Sequence, residues 1–178
     1  KDGCVRPETS IESMANLKPA FDKEGVVTAA TSSPLTDGAA AVIICSEDYA
    51  KKNNLGIMAY IRGMAISGCS PEIMGIGPVL SSKKALQRAG IKLEDVDIIE
   101  MNEAFAAQSL ACVKELGIDM SKLNLHGGAI SMGHPLGASG ARITGKAASL
   151  LNETGKRYAL STMCVGGGQG CATVLERA

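Results

Sequence analysis

The chain has 178 residues, 46% of them apolar, and its 18 basic residues balance 18 acidic ones. This length is enough for one domain with a hydrophobic core, and a neutral chain with three Tyr, two Phe and no Trp has no basic or aromatic surface for nucleic acid. The most apolar run, AAAVIIC at 39–45, is too short to cross a bilayer, and the polar start KDGCVRPETS is not typical of a secretory leader. We therefore expect a soluble cytoplasmic protein that contacts neither membrane nor nucleic acid.

The cysteines and histidines argue against a metal site and against disulfides. The six cysteines include no C-x-x-C pair, and a chain of this kind is expected to keep its thiols reduced. His126 and His134 have seven residues between them, and no cysteine lies at ligand spacing from either. We expect no metal.

The first part of the chain changes from an irregular to a regular pattern. Residues 1–25 show no strand pattern. The apolar run 39–46 predicts a buried strand, and a short helix at 47–53 follows, with Ser46 as its N-cap. Partial alternation at 57–66 predicts another strand.

Helices and strands alternate through the rest of the chain. Each predicted helix ends at a glycine, as expected at a helix C-terminus; the helices are 81–90, 103–117 and 139–155, and the strands are 97–101, 158–164 and 170–177. The last two strands predict an antiparallel pair closed by a glycine-rich turn. The fold class is therefore α/β, a mixed sheet with helices on both faces. The helix at 139–155 carries many small residues, which indicates that something packs very close to it.

Asn102 and Glu103 stand where the predicted strand 97–101 ends. One interpretation is structural, with Asn102 capping the next helix and Glu103 favouring its dipole. The other is functional, because ligands of α/β proteins collect at strand ends.

The loop HGGAISMGHPLGASGAR, residues 126–142, contains both histidines. His134 lies between Gly133 and Pro135, where no amphipathic face exists for it to fill, so a general base or hydrogen-bond donor is the favoured interpretation. For His126, which precedes Gly127-Gly128, the role of a turn residue and that of a site residue are equally consistent with the sequence.

The near-terminal run CVGGGQGC, residues 164–171, combines a thiol with bare backbone. Cys164 ends a strand, and the N–H groups of the following glycines suit an oxyanion hole beside a thiol. A phosphate cradle would need a helix after the glycines, but a strand-like segment follows them. Cys171 is most simply a core residue.

Three long motifs, NEAFAAQ, NLHGGAISMGHPLGASGARI and MCVGGGQG, resemble the C-terminal signatures of the thiolases, which make or cleave 3-oxoacyl-CoA. MGIGPVLSSKKALQRAG and VVTAATSSPLTDGAAAV are similar to family sequence as well. The resemblance runs from about Arg6 to Glu176, and it leans towards the acetyl-CoA acetyltransferase branch. It implies a thiolase-like fold, of which this chain is the C-terminal half.

The resemblance also implies roles for single residues. Cys164 would be the cysteine that acts as acid and base, and His134 would help to activate a second, nucleophilic cysteine. His134, with a water held by Asn102, would bind the thioester oxygen. The N–H of Gly166 would donate to a second oxyanion hole.

The resemblance also implies which residues would contact the substrate. Ser33 would contact the pantetheine arm of CoA, although Pro34 departs from the family pattern, and Phe105 would line the acyl pocket. Thiolate character in Cys164 would need nearby positive charge or dipoles. CoA is then substrate and product, and no cofactor is expected.

The family pattern has an N-terminal half that carries the nucleophilic cysteine, and we expect that half to be missing here. Residues 1–25 would be the end of the loop domain and 26–178 the C-terminal domain. Cys4 has no histidine near it in the sequence and is expected to be a loop remnant. The chain alone should then be inactive, expose an apolar face, and need its other half or a homo-oligomer (a dimer or tetramer).

Other interpretations stay open. A non-catalytic module that binds CoA or acyl-CoA would keep Ser33 and be indifferent to Cys164. A ketoacyl-synthase-like condensing enzyme would have a different arrangement of histidines. A dinucleotide-binding domain is disfavoured because no G-x-G-x-x-G follows an N-terminal strand. An organellar matrix is an alternative to the cytoplasm in a eukaryote.

Overall fold

The computed structural model describes residues 2–178. Its helices are α1 (Ile11–Ala15), α2 (Glu47–Lys52), α3 (Gly77–Ala89), α4 (Ala106–Leu116), α5 (Ala129–Met132) and α6 (Ser139–Thr154). Its strands are β1 (Ala59–Gly68), β2 (Ile98–Met101), β3 (Tyr158–Val165) and β4 (Gln169–Arg177). Within 2–178, no helix combines the length and the apolar character needed to cross a membrane.

The four strands form one mixed sheet in the order β1-β4-β3-β2. β2 and β3 are parallel, whereas β3 with β4 and β4 with β1 are antiparallel. The closing antiparallel pair predicted from the glycine-rich turn is confirmed, as is the α/β class. The parallel pair matters for function, because it brings the ends of β2 and β3 to the same edge of the sheet.

Helices cover both faces of the sheet, as predicted. Side chains alternate across β2, so that Ile99 joins a core with α3 and α4 while Ile98 joins a second core with α6. Leu160 and Ala159 divide in the same way on β3. All four of these side chains are essentially fully buried, so the sheet is a rigid base for the loops at its edge.

The strand predicted at 39–46 is wrong. This segment has no regular structure, and Ile43 and Ile44 are 86% and 71% exposed. The apolar composition indicates burial but does not specify a partner, and no strand among residues 2–178 pairs with the segment. It runs past α6, where a Cβ built on Gly145 would lie 3.3 Å from Val42. The small residues of α6 therefore do allow close packing, as the sequence indicated.

The remaining predicted elements are present with shifted ends. α3 begins four residues before the predicted 81–90 helix because Pro78 suits the first turn. Gly90, Gly117 and Gly155 all follow their helices in the left-handed conformation. Ser46 caps α2 as predicted, accepting a hydrogen bond from Tyr49 N.

Candidate active site

The side chains of Asn102 and His134 meet directly. β2 ends at Met101, and Asn102 Nδ2 lies 3.2 Å from His134 Nε2. The backbone N–H of Asn102 donates to Thr162 O on β3 at 3.0 Å. Asn102 is fully buried, and its Oδ1 has no hydrogen-bond partner among the described residues. A buried amide oxygen without a partner is costly, so it marks a place where a donor from a ligand or water would be stabilising.

The structural interpretation of Asn102 as a helix cap is therefore wrong. α4 begins only at Ala106, with Phe105 in the N-cap position. Asn102 lies outside the helix because the backbone continues in extended form after β2. Its side chain is free to contact His134.

A neighbouring segment, residues 33–38, holds the backbone of His134. Thr36 Oγ1 accepts the His134 N–H at 3.2 Å and donates to Pro34 O at 2.6 Å. A Cβ on Gly133 would lie 2.4 Å from Thr36 Oγ1, and the φ of Gly133 is +100°. A glycine is therefore required before His134, both for its backbone conformation and for the close approach of Thr36.

The imidazole of His134 also contacts the first residue of α6. Its Nδ1 lies 2.6 Å from Ser139 Oγ, and Ser139 is fully buried. Burial lowers the pKa of His134, and the positive charge of Arg142 lowers it further. The ring is therefore neutral at pH 7, the form in which one nitrogen can accept a proton.

Glu103 and Asn124 form a frame beneath the site that the sequence did not reveal. Asn124 exchanges two hydrogen bonds of 2.9 Å with the backbone of Met101 and donates to Glu103 Oε1 at 2.8 Å. Glu103 Oε2 accepts the N–H of Ile130 at 3.1 Å. A Cβ on Gly128 would lie about 2 Å from the Glu103 carboxylate. The signal in the sequence was the pair Gly127-Gly128, because a glycine is needed where another group packs against the backbone.

Cys164 lies near the end of β3, two residues beyond the Thr162 that binds Asn102. It is 6% exposed, and burial raises the pKa of its thiol to about 11. The neighbouring thiols of Cys112, Cys171 and Cys69 raise it slightly more. The described residues therefore do not supply the positive charge that thiolate character would need, and Cys164 is a protonated thiol at neutral pH.

The glycines after Cys164 serve two purposes. Gly166, Gly167 and Gly168 form the turn between β3 and β4, in which Gly166 and Gly167 are exposed and Gly168 is buried, and a Cβ on Gly166 would meet nothing within 4 Å. A Cβ on Gly168 would instead lie 2.3 Å from Cys69 O, and one on Gly170 would lie 2.1 Å from Gly77 O. Only the first part of the run leaves open backbone, and the later glycines are needed for packing.

Ser33 and Phe105 lie side by side. Ser33 N and Oγ both donate to Ala104 O, at 3.0 and 3.2 Å, and Ser32 forms a β-bridge with Phe105. The Phe105 ring meets Phe21 edge to face, with ring centroids 6.3 Å apart. Ser33 therefore lies next to the residue that pairs with Phe105, and it begins the segment, residues 33–38, that holds the backbone of His134.

A cavity of about 350 Å³ opens beside His134. It is lined by Leu35, Thr36, Asp37, His134 and Leu136. Leu35 is 94% exposed and Leu136 71%, so two apolar side chains flank the catalytic candidate. Neither leucine stands out in the sequence, because an isolated leucine in a loop carries no pattern.

The structure also shows where the two remaining candidates, His126 and Cys4, lie. His126 lies on the surface, where Lys146 Nζ is 2.7 Å from its Nδ1 and the Glu153 carboxylate is 3.8 Å from its Nε2, so it is not part of the site. Cys4 Sγ lies 3.9 Å from Thr36 Oγ1. Thr36 in turn accepts the backbone N–H of His134, so Cys4 contacts the segment that holds His134.

Comparison with known proteins identifies the family. The model of the thiolase C-terminal domain matches residues 55–177, and that of the thiolase N-terminal domain matches residues 1–48. The chain belongs to the thiolase family. The 3-ketoacyl-CoA thiolase of Vibrio vulnificus (strain YJ016) is 55% identical over 99% of this chain and 46% of its own length. That of Shewanella loihica is 56% identical over 99% of the chain and 47% of its own length.

Solved thiolase structures give the same result. Human mitochondrial 3-ketoacyl-CoA thiolase superposes with a TM-score of 0.97 at 49% identity, covering 99% of this chain and 45% of that one. The Bacillus anthracis acetyl-CoA acetyltransferase gives 0.96 at 44% identity, covering 100% and 45%. This thiolase chain thus spans about half the length of the relatives it matches, and its thiolase-like fold is that of their C-terminal part.

Proposed function

We propose that this chain supplies the acid–base half of a thiolase active site. Together with an N-terminal thiolase half, it would catalyse the reversible cleavage of 3-oxoacyl-CoA by CoA, including the condensation of two acetyl-CoA molecules to acetoacetyl-CoA. The observation that carries the proposal is the contact between buried Asn102 and half-buried His134 beside the strand that bears Cys164. Membership of the thiolase family and acyltransferase chemistry support it.

In the cleavage direction Cys164 acts first as an acid. The nucleophilic cysteine of the other half adds to the 3-oxo carbonyl, the bond between Cα and Cβ breaks, and its electron pair passes to Cα. The Cys164 thiol, protonated because burial raises its pKa, gives its proton to Cα and acetyl-CoA leaves. The Cys164 thiolate then takes the thiol proton of incoming CoA, whose sulfur attacks the acyl group. Condensation is the reverse, with the thiolate removing a proton from acetyl-CoA.

Donors surround the place where negative charge would develop. His134, with a water held by Asn102, would bind the thioester oxygen, and the exposed Gly166 N–H would bind a second oxyanion. Such donors stabilise a transition state most when they are already oriented before reaction. The rigid contacts of His134 with Thr36 and Ser139 support that role.

The substrate would enter past Ser33 and the cavity beside His134. Leu35 and Leu136 offer apolar contact to an extended pantetheine arm, and Phe105 offers an acyl contact. The relatives include proteins named for both branches, 3-ketoacyl-CoA thiolase and acetyl-CoA acetyltransferase. We therefore propose thiolysis of 3-oxoacyl-CoA as the principal reaction, and condensation of acetyl-CoA as the reverse of thiolysis.

The test is CoA-dependent consumption of acetoacetyl-CoA and of a longer 3-oxoacyl-CoA by residues 1–178 combined with an N-terminal thiolase half. Activity that is lost in His134→Ala and Cys164→Ala supports the proposal. CoA binding without turnover, unchanged in Cys164→Ala, would favour the non-catalytic binding module instead. The ratio of the two substrates' kcat/KM values separates the two branches.

Residues 1–178 without the N-terminal half should not turn over substrate, because the acylated cysteine is expected in that half. Cys4 allows a sharp control, since it lies near the segment that holds His134. Thiolysis by the 178-residue chain that disappears in Cys4→Ala would show that Cys4 is itself the nucleophile and would overturn this part of the proposal.

A further inference from the structure

The hydroxyl group of Ser139 contacts both the catalytic candidate and its own helix. Ser139 Oγ lies 2.6 Å from His134 Nδ1 and 3.1 Å from Pro135 O, four residues earlier. A hydroxyl has one proton to donate and can accept with its lone pairs. If the proton points to Pro135 O, Ser139 must accept from His134, which places the imidazole proton on Nδ1.

The other side of the ring agrees with this assignment. Asn102 Nδ2, an amide donor, faces Nε2 at 3.2 Å, while Asn102 Oδ1 has no partner among the described residues. A donor facing Nε2 requires a lone pair there. All three hydrogen bonds are therefore satisfied together only when His134 is neutral with its proton on Nδ1.

We propose that Ser139 is a positioning residue that fixes this tautomer and so presents the bare Nε2 of His134 as the base. The role rests on the proposed function. When Nε2 takes the proton of the nucleophilic thiol, the ring becomes an imidazolium, Nδ1–H still donates to Ser139, and the hydrogen bond from Asn102 Nδ2 to Nε2 is lost. When the proton is returned, the bond from Asn102 forms again. Proton transfer at Nε2 thus requires no rearrangement around Nδ1.

The surrounding charges permit this cycle. Arg142, on the same helix as Ser139, disfavours the imidazolium, and Asp37 lines the same cavity as His134. The other groups in contact with His134, Thr36 and Asn102, are uncharged. The hydrogen bond to Ser139 therefore decides the tautomer, whereas the charges affect only how readily the ring is protonated.

The test uses residues 1–178, labelled with ¹⁵N-histidine and combined with an N-terminal thiolase half. Two-bond ¹H–¹⁵N spectra distinguish the two tautomers, and His134→Asn identifies the His134 signals. We expect the Nδ1–H tautomer in the parent protein, loss of that bias in Ser139→Ala, and a fall in kcat/KM of at least about tenfold, as when a histidine loses the group that fixes its tautomer.

Ser81→Ala is the matched control. Ser81 is equally buried and also donates to a carbonyl four residues earlier, Gly77 O at 3.3 Å, in helix α3, which does not carry the site. We expect this variant to keep the parent tautomer and rate. If Ser139→Ala does not fold, Ser139→Cys replaces the hydroxyl with a slightly larger thiol that is a weaker acceptor, and it should show a reduced bias.

Two results would overturn the proposal. One is a parent spectrum with the proton on Nε2, which would mean that Ser139 donates to Nδ1 and that the Asn102 amide is reversed. The other is a Ser139→Ala spectrum that matches the parent. Because the spectra do not depend on turnover, absence of thiolysis in the parent would contradict the proposed function while the tautomer remained measurable.

Discussion

Asn102 and His134, 32 residues apart in the chain, meet through Nδ2 and Nε2 at 3.2 Å. The contact depends on three segments. The end of β2 places Asn102, residues 33–38 hold the backbone of His134, and the first turn of α6 holds its ring. Each segment is anchored by hydrogen bonds to a backbone or to a buried side chain, so the pair is fixed before any ligand arrives.

Replacing Cys164 should abolish catalysis and leave the fold intact. Cys164→Ala removes the acid–base group, and loss of such a group costs about 10²- to 10⁴-fold in kcat. Steady-state thiolysis by the complete enzyme measures this. Cys171→Ala is the control, because Cys171 pairs with Met163 across the same two strands and should retain activity. Equal losses in both variants would mean that packing, and not chemistry, explains the effect.

The raised pKa of Cys164 predicts slow alkylation at neutral pH. Only the thiolate reacts, and burial holds the pKa of this thiol at about 11. The rate of iodoacetamide modification at Cys164, followed by peptide mass spectrometry, should therefore keep rising from pH 7 to pH 10. A rate that levels off near pH 8 would show that the assembled enzyme lowers the pKa, with positive charge supplied from outside the described residues.

Gly166 and Gly168 should respond oppositely to alanine. At Gly166 a Cβ meets no atom within 4 Å, so Gly166→Ala should leave the free energy of unfolding unchanged or raise it by up to about 1 kcal/mol. The added methyl group would project where the thioester is proposed to lie, so kcat/KM should fall at least about tenfold.

Gly168→Ala provides the contrast. Its φ is +84°, and its Cβ would lie 2.3 Å from Cys69 O, so it should lose about 1–3 kcal/mol of stability. Urea unfolding measures both variants. Full activity in Gly166→Ala would argue against an oxyanion site at this turn.

Buried Glu100 should make stability fall as pH rises. Burial raises its pKa to about 7, although Arg142 lies 3.3 Å away and opposes the shift. Between the ordinary value of 4.5 and about 7, the folded protein keeps a proton that the unfolded chain has released. The free energy of unfolding therefore decreases over this range, by about 3 kcal/mol in total.

Glu100→Gln removes this titration, so its unfolding curve, measured by urea at a series of pH values, should lack that decrease. Glu176→Gln tests a carboxyl group whose pKa is shifted in the opposite direction from that of Glu100. Arg157 and Arg62 lower the pKa of Glu176, so its stabilising effect is present above the ordinary value and is lost as the pH falls. Parallel pH profiles for the parent and Glu100→Gln would contradict the raised pKa.

Local patterns in the sequence were sufficient for the helices, the closing hairpin and the site candidates. Gly90, Gly117 and Gly155 end their helices because the left-handed conformation is easiest for glycine. Asn102 and His134 could be selected because a polar residue at a strand end, or between a glycine and a proline, has no core to fill. Both features depend only on neighbouring residues, which is why sequence alone predicts them.

Tertiary structure decided how those residues are used. Only the parallel pairing of β2 and β3 brings Asn102 close to the strand of Cys164, and only folding places Ser139 and Thr36 on either side of His134. The exposed run 39–46 shows the limit clearly, since its apolar residues predicted a strand, but no strand among residues 2–178 pairs with it. Hydrophobic pattern specifies that a segment favours burial, but the surface that buries it comes from residues distant in the sequence, as do Asn102 and Thr36, which contact His134.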